Sequence, residues 1–293
     1  MMISPVRRVA IAWVLGAALS TLAACGTAPV PERAQRPPEV PSAVPSRPPT
    51  LAPGPAGLTP VFRNGPRTAP GKAVALTFDA DMTAGQGDRA ARGERFDNPP
   101  LIATLRALKV PATVFMTGRW AEEYPDQARS VGRDPLFEVA NHSYSHYAFT
   151  GDCYGLPTIA GAASGSAAED RMRADVERAY TAFRAAGVTG AMPYFRFPGG
   201  CYDRRALRAL GTAGVTAVQW DVVSGDAFAT DADAVAREVL DRVRPGSVVV
   251  MHCTRSAAPA TERAVRTIVP ALRDRGFRFV KVSELIGAAA GRR

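Results

Sequence analysis

From residue 71 onward the chain alternates between two hydrophobic rhythms. Short, nearly unbroken apolar runs (AVALTFD, ATVFMTG, FEVAN, TAVQWDV, SVVVMHC and FRFVKVSEL) read as strands covered on both faces. YFRFPG reads as a strand end running into a turn. Between these runs lie longer segments with apolar residues at helical spacing. NPPLIATLRALK has Asn98 to cap it and proline in its first turn, and AAEDRMRADVERAYTAFRAAG is closed by Gly187. DRRALRALGTAG, ADAVAREVLDRV and TERAVRTIVPALRDRG complete the set. This alternation predicts a parallel sheet with helices outside it, open or closed as a barrel. TGDCYGLPTIAGAASGS, rich in small residues, reads as a loop inserted after the third strand.

The pattern before residue 71 is different. Thirteen of the 25 prolines fall between Thr27 and Pro70, which predicts an extended spacer and not a core. Ahead of it, Arg7 and Arg8 precede the apolar stretch VAIAWVLGAALSTLAA, which closes on Cys25. A charged start, a short apolar run and small residues describe an export leader. Ending in LAAC, it is similar to the lipobox of bacterial lipoproteins, cut before Cys25 so that this cysteine takes lipid; an ordinary leader with a chance cysteine is the alternative. Acyl chains on Cys25 would hold the protein to a membrane at ~0.8 kcal/mol per buried CH₂. The expected organisation is therefore a leader over 1–24, a lipidated cysteine and disordered proline-rich linker over 25–70, and one catalytic domain over 71–290. The expected location is extracytoplasmic, lipid-anchored to a bacterial membrane.

Charge changes the picture little. The net charge of +9 includes +5 from residues 1–70; the remainder holds 29 basic and 25 acidic groups, interspersed. A nucleic-acid binder needs clustered cations, so that class is set aside. Export makes disulfides possible for Cys153, Cys201 and Cys253, but three cysteines allow at most one internal bridge and sequence does not choose it.

The chain has three histidines. Two, His142 and His146, stand four apart, a spacing that puts side chains on one side of a helix or a strand. Two imidazoles with a nearby carboxylate suit a divalent ion, zinc first, with cobalt, manganese or nickel as alternatives. Asp79 and Asp81 end one predicted strand, and Arg196 ends another, before Pro198 and Gly199. Asp221 and Asp226 follow a third, and His252 ends a fourth. In βα folds such strand ends open onto one face, where ligands gather. Arg196 is suited to orient a carboxylate through paired hydrogen bonds. His252, backed by Asp221 and Asp226, is suited to act as a general acid.

The ordered set TFDAD, HSYSH, RFPGG, WDVVSGDA and VVVMH resembles the polysaccharide deacetylases of the NodB-homology type, carbohydrate esterase family 4, across residues 72–285. The resemblance implies a distorted (β/α) barrel, usually of seven strands. It implies metal-assisted removal of acetyl groups by activated water from N-acetylated sugars of peptidoglycan or chitin, or from O-acetylated xylan. It further implies Asp79 as base, His142 and His146 as metal ligands, Arg196 as the group orienting the base, His252 as acid and Val250 beside the acetyl methyl. The backbone N–H after Pro198 is implied as an oxyanion donor. Ala80 separates the two aspartates where the family has them adjacent, so Asp81 is taken as third ligand and the roles of Asp79 and Asp81 stay exchangeable. Ala227 stands where the family has tryptophan. The expectation is a monomeric N-acetyl deacetylase acting on a cell-wall glycan; the alternatives are an O-acetyl esterase and a glycan-binding protein without turnover.

Overall fold

The computed structural model describes residues 47–68, 71–161 and 164–291. The expected leader over 1–24 and Cys25 lie outside the described residues. Among the described residues, no helix is long and apolar enough to cross a membrane.

Among the described residues nine strands form one sheet, and every pairing in it is parallel. They are β1 (Val61–Phe62), β2 (Lys72–Ala80), β3 (Ala112–Met116), β4 (Phe137–Asn141), β5 (Tyr194–Phe195), β6 (Thr216–Val218), β7 (Val222–Val223), β8 (Ser247–His252) and β9 (Phe277–Phe279). The order is β1-β6-β5-β4-β3-β2-β8-β7, with β9 pairing the start of β2. The chain passes from β6 to β7, near opposite ends of that order, in four peptide steps. Four steps reach at most about 14 Å. The sheet therefore curls until its ends approach, which is the expected distorted barrel with more strands than seven.

Period-2 alternation sorts the side chains of each strand. On β2, Val74, Leu76, Phe78 and Ala80 face outward and join a core with Leu101, Leu105, Val265, Ile268 and Val269. Those partners come from helices α2 (Pro99–Ala107) and α8 (Thr261–Asp274). Ala73 and Ala75 face inward and meet Phe115, Ala140, Tyr194, Val218 and Val248 inside the barrel. Asp79 has the inward parity of Ala73 and Ala75. Arg196 has that of Tyr194, and Val250 and His252 that of Val248. Alternation alone thus brings the polar candidates to one end of the barrel interior.

The remaining helices are α1 (Gly87–Ala91), α3 (Gly118–Glu123), α4 (Pro125–Gly132), α5 (Gly165–Ala185), α6 (Arg204–Gly211), α7 (Ala232–Arg242) and α9 (Val282–Ala290). Asn98 caps α2 by accepting from Leu101 N–H, as expected. Asp231 caps α7 by accepting from Asp233 and Ala234 N–H. FRFVKVSEL is not one strand: β9 takes its first three residues and α9 its last four.

Residues 47–68 belong to the folded unit, although their proline content assigned them to the linker. Tyr194 Oη donates to Pro49 O at 2.8 Å, and Leu51 N–H to Thr216 Oγ1 at 3.0 Å. Proline lacks a donor but keeps its acceptor, and Pro60 O takes the N–H of Ala217 at 2.9 Å, just ahead of β1. Beyond β1, Gly65 N–H donates to Gly246 O at 2.8 Å, and Arg67 pairs with Asp221 at 2.6 Å.

Candidate active site

Asp79 sits one residue before the end of β2, 4% exposed. An isolated carboxylate there would pay a large desolvation cost. Arg196, fully buried just past β5, answers it: Nη1 donates to Asp79 Oδ1 at 2.6 Å and Nε to Val218 O at 3.2 Å. Its guanidinium lies 3.9 Å from the centre of the Phe115 ring and 5.3 Å from that of Trp220. Burial lowers the arginine's pKa against the pull of Asp79, so the pair is held by geometry in a dry place.

His142 follows β4 directly and is 2% exposed. Its Nδ1 lies 2.9 Å from Arg196 O. A carbonyl only accepts, so Nδ1 carries the proton and Nε2 keeps its lone pair. That lone pair is 3.6 Å from Asp79 Oδ2. Burial pushes the imidazole down to about 4, against the opposing charge of Asp79, so the ring is neutral at ordinary pH. His146 is on neither helix nor strand. Ser143 and His146 adopt positive φ (70° and 55°), and the resulting turn brings the two imidazole centres to 5.0 Å, edge to face. His146 Nε2 stands 3.7 Å from Asp81 Oδ2. Asp81 also takes a short hydrogen bond from Thr254 Oγ1. Burial pushes Asp81 up, but His146, His252 and Thr254 outweigh it and hold the carboxyl below its usual range.

Among the described residues, no group of three or more His, Cys, Asp or Glu side chains is assembled to hold a metal ion as it stands. The donors form two His–carboxylate pairs, Asp79–His142 and Asp81–His146. Their chemistry nevertheless fits a divalent ion. Two imidazoles and a carboxylate are hard-to-borderline donors, and the Nδ1 bond of His142 is the kind of outer contact that fixes a ligand ring.

His252 ends β8 and lies opposite Asp79 in the β2–β8 register. Its Nδ1 is 2.8 Å from Asp226 Oδ1, and its backbone N–H donates to Asp226 Oδ2 at 2.7 Å. Thr261 and Ser224 hydroxyls donate to the same carboxylate at 2.6 and 2.9 Å. Burial opposes charge on the imidazole, but Asp226 overrides it, with Asp81 and Asp79 adding to the effect, and pushes the pKa up to about 10. Burial likewise opposes charge on Asp226, and His252 with the Thr261 hydroxyl and the backbone N–H holds it below its usual value. The ring is therefore an imidazolium at neutral pH. Val250, two residues earlier on β8, is 5% exposed.

Asp221 does not join this group. The run TAVQWDV splits between β6 and β7, which leaves Asp221 at the start of β7, at the opposite end of the barrel. There it accepts from Arg67 at 2.6 Å, Ser247 Oγ at 2.9 Å and Val248 N–H at 2.7 Å.

Pro198 and Gly199 begin a tight 3₁₀ turn, with Gly199 at φ 63° and Gly200 at φ 74°. Side chains are excluded from both positions. A Cβ on Gly199 would come within 2.5 Å of Cys153 Sγ, and one on Gly200 within 2.5 Å of the Trp220 ring. Cys153 is joined to Cys201, so the loop inserted after β4 is bolted to this turn, while Cys253 stays free and buried. Trp220, whose ring packs over Gly200, puts an indole beside Arg196 in a chain where Ala227 holds the expected tryptophan position.

Sequence reasoning missed Thr254, Ser224 and Thr261, which bind the carboxylates, and Phe115 and Trp220, which flank Arg196. Only Phe115 carried a signal, its inward parity on β3.

A profile of the polysaccharide deacetylase family matches residues 66–218. A chitooligosaccharide deacetylase of Sinorhizobium fredii is 30% identical over 193 residues, covering 61% of this chain and 80% of that protein. A peptidoglycan-N-acetylglucosamine deacetylase of Bacillus cereus is 26% identical over 197 residues, covering 67% of this chain and 65% of that protein. A family 4 carbohydrate esterase from Streptomyces lividans, solved in complex with acetate, is 28% identical with a TM-score of 0.55, covering 71% of this chain and 91% of that one.

Proposed function

We propose, since the chain belongs to the polysaccharide deacetylase family, that it hydrolyses N-acetyl groups from N-acetylglucosamine units of a cell-wall glycan, peptidoglycan first. The observation that carries this is the pairing of Asp79 and His252 across the β2–β8 ladder. Side chains at paired positions of parallel strands share a face, on backbones ~4.8 Å apart. A carboxylate clamped by arginine and an imidazolium clamped by Asp226 are thus neighbours at one mouth. Amide hydrolysis needs that combination: one group to take a proton from water and one to give a proton to the departing nitrogen.

Asp81, His142 and His146 would hold a divalent ion, zinc first; when bound, it supplies a Lewis acid that polarises the amide carbonyl and acidifies water. The remaining work falls to the chain. Asp79 accepts the proton of the attacking water, oriented by Arg196 so that Oδ2 faces the site while Oδ1 is occupied. His252 donates its proton to the amine as the C–N bond breaks, leaving acetate and a free amino sugar. Asp226 holds the imidazolium in place. Val250 lies beneath His252 with the parity to meet the acetyl methyl, and the backbone N–H of Gly199 serves the developing oxyanion. The leader-like start and Cys25 support action outside the cytoplasm from a lipid anchor, and the chemistry requires no second subunit.

The test is acetate release from N-acetylglucosamine oligomers and from wall peptidoglycan, with O-acetylated xylan alongside. Asp79→Asn and His252→Ala should each cost roughly 10²–10⁴ in kcat. A folded sample that releases no acetate with any divalent ion would sink the reading. Turnover of O-acetyl substrates alone would move it to the esterase alternative.

A further inference from the structure

Tyr154 stands beside Gly199, in the turn that follows Arg196. It is 87% exposed, and among the described residues its hydroxyl makes no hydrogen bond and its ring no stacking contact. The backbone holds it there at φ 51°, in the left-handed region that a non-glycine residue seldom adopts. Its neighbour Cys153 is buried and disulfide-linked to Cys201. Cys153 Sγ also lies 3.6 Å from Pro198 O, and Tyr154 Cδ2 would be 3.5 Å from a Cβ on Gly199. The backbone that carries the ring is therefore anchored beside the Pro198–Gly200 turn, two residues beyond the arginine that clamps Asp79.

We propose that Tyr154 is a sugar-ring platform: it stacks on the pyranose next to the one being deacetylated and makes the protein select oligomers over single sugars. This rests on the carbohydrate reading above. A pyranose presents a face of C–H groups with slight positive charge, which complements the negative face of an aromatic ring. The disulfide holds the backbone of this loop against the turn before the glycan arrives, so binding has only the Tyr154 side chain and not the loop to order.

The assay compares kcat/KM for the N-acetylglucosamine tetramer with that for the monomer. In Tyr154→Ala the tetramer-to-monomer ratio should fall about two- to tenfold, the range that aromatic ring contacts give. Tyr154→Phe, which keeps the ring, should hold the wild-type ratio. An unchanged ratio in Tyr154→Ala overturns the proposal, as does an equal fall in Tyr154→Phe. Should no acetate appear from any substrate, the hydrolytic reading falls alone, and calorimetric binding of the tetramer decides the platform. A dissociation constant weakened about two- to tenfold in Tyr154→Ala upholds it, and an equal constant overturns it.

Discussion

Replacing Asp226 with asparagine removes the charge that holds the His252 proton while keeping the size of the side chain. In the wild type that proton leaves at about 10, against an ordinary 6.5. At ~1.4 kcal/mol per pH unit, the folded site binds it more tightly by on the order of 5 kcal/mol. The imidazole is 26% exposed, so solvent screens only part of this. In the variant burial still opposes the charge and only Asp81 and Asp79 still favour it, so its His252 should titrate far below about 10, near the ordinary value. At pH 8 the acid form would then drop to roughly 3% of molecules, against about three-quarters at pH 6, and kcat/KM should fall about 25-fold further than at pH 6. The chain has only three histidines, so NMR can follow each imidazole independently of turnover. The sign for stability follows from the same values. A raised histidine contributes fully below pH 6.5, and its contribution is lost as pH rises through about 10. The depressed Asp226 contributes above its ordinary 3.8 and loses this as pH falls through its folded value. The wild type should therefore exceed Asp226→Asn most clearly between about pH 4 and 6.5. Asp221→Asn is the control, because it pairs with Arg67 at the far end of the barrel and should leave His252 at about 10. If Asp226→Asn also titrates near 10, or loses activity equally at pH 6 and 8, Asp226 does not hold the proton.

Arg196→Met should cost about 3–5 kcal/mol, because it strands the buried Asp79 carboxylate, and adding Asp79→Asn should restore part of the loss in a urea titration. A further cost from the second change would place the energy elsewhere. His142→Ala and His146→Ala should each weaken Zn²⁺ binding at least ~10-fold by calorimetry; wild-type affinity in both would move the ion to other donors. The Cys153→Ser, Cys201→Ser pair opens a loop of 48 residues, and chain entropy sets an expected loss of ~4 kcal/mol, read as a lower denaturation midpoint.

Much of the candidate site's grouping was legible because strand ends in βα folds face one way. Asp79, Asp81, His142, His146, Arg196, Asp226 and His252 each stand at or just past the end of a predicted strand. Asp221 carried the same mark and was misleading, since no local pattern shows that TAVQWDV breaks after Val218 to cross between the ends of the sheet. Helices α3 and α4 escaped notice because Pro125 divides their stretch into pieces of six and eight residues, too short to display a helical period. Serine and threonine partners of the carboxylates have no sequence signature, and the disulfide pair depends on where an inserted loop lands. The proline-rich start was misread at its end because proline content excludes interior strands but permits one at an edge.

That edge has a practical consequence. A chain trimmed to begin at Gly71 would retain every candidate catalytic group and still be a poor protein. The cut strips β1 from β6 and leaves a row of open amides and carbonyls to recruit other chains. It also deprives Asp221 of its cation. The short segment over 61–68 works as a clasp, and a preparation without it should be judged by its aggregation before its activity.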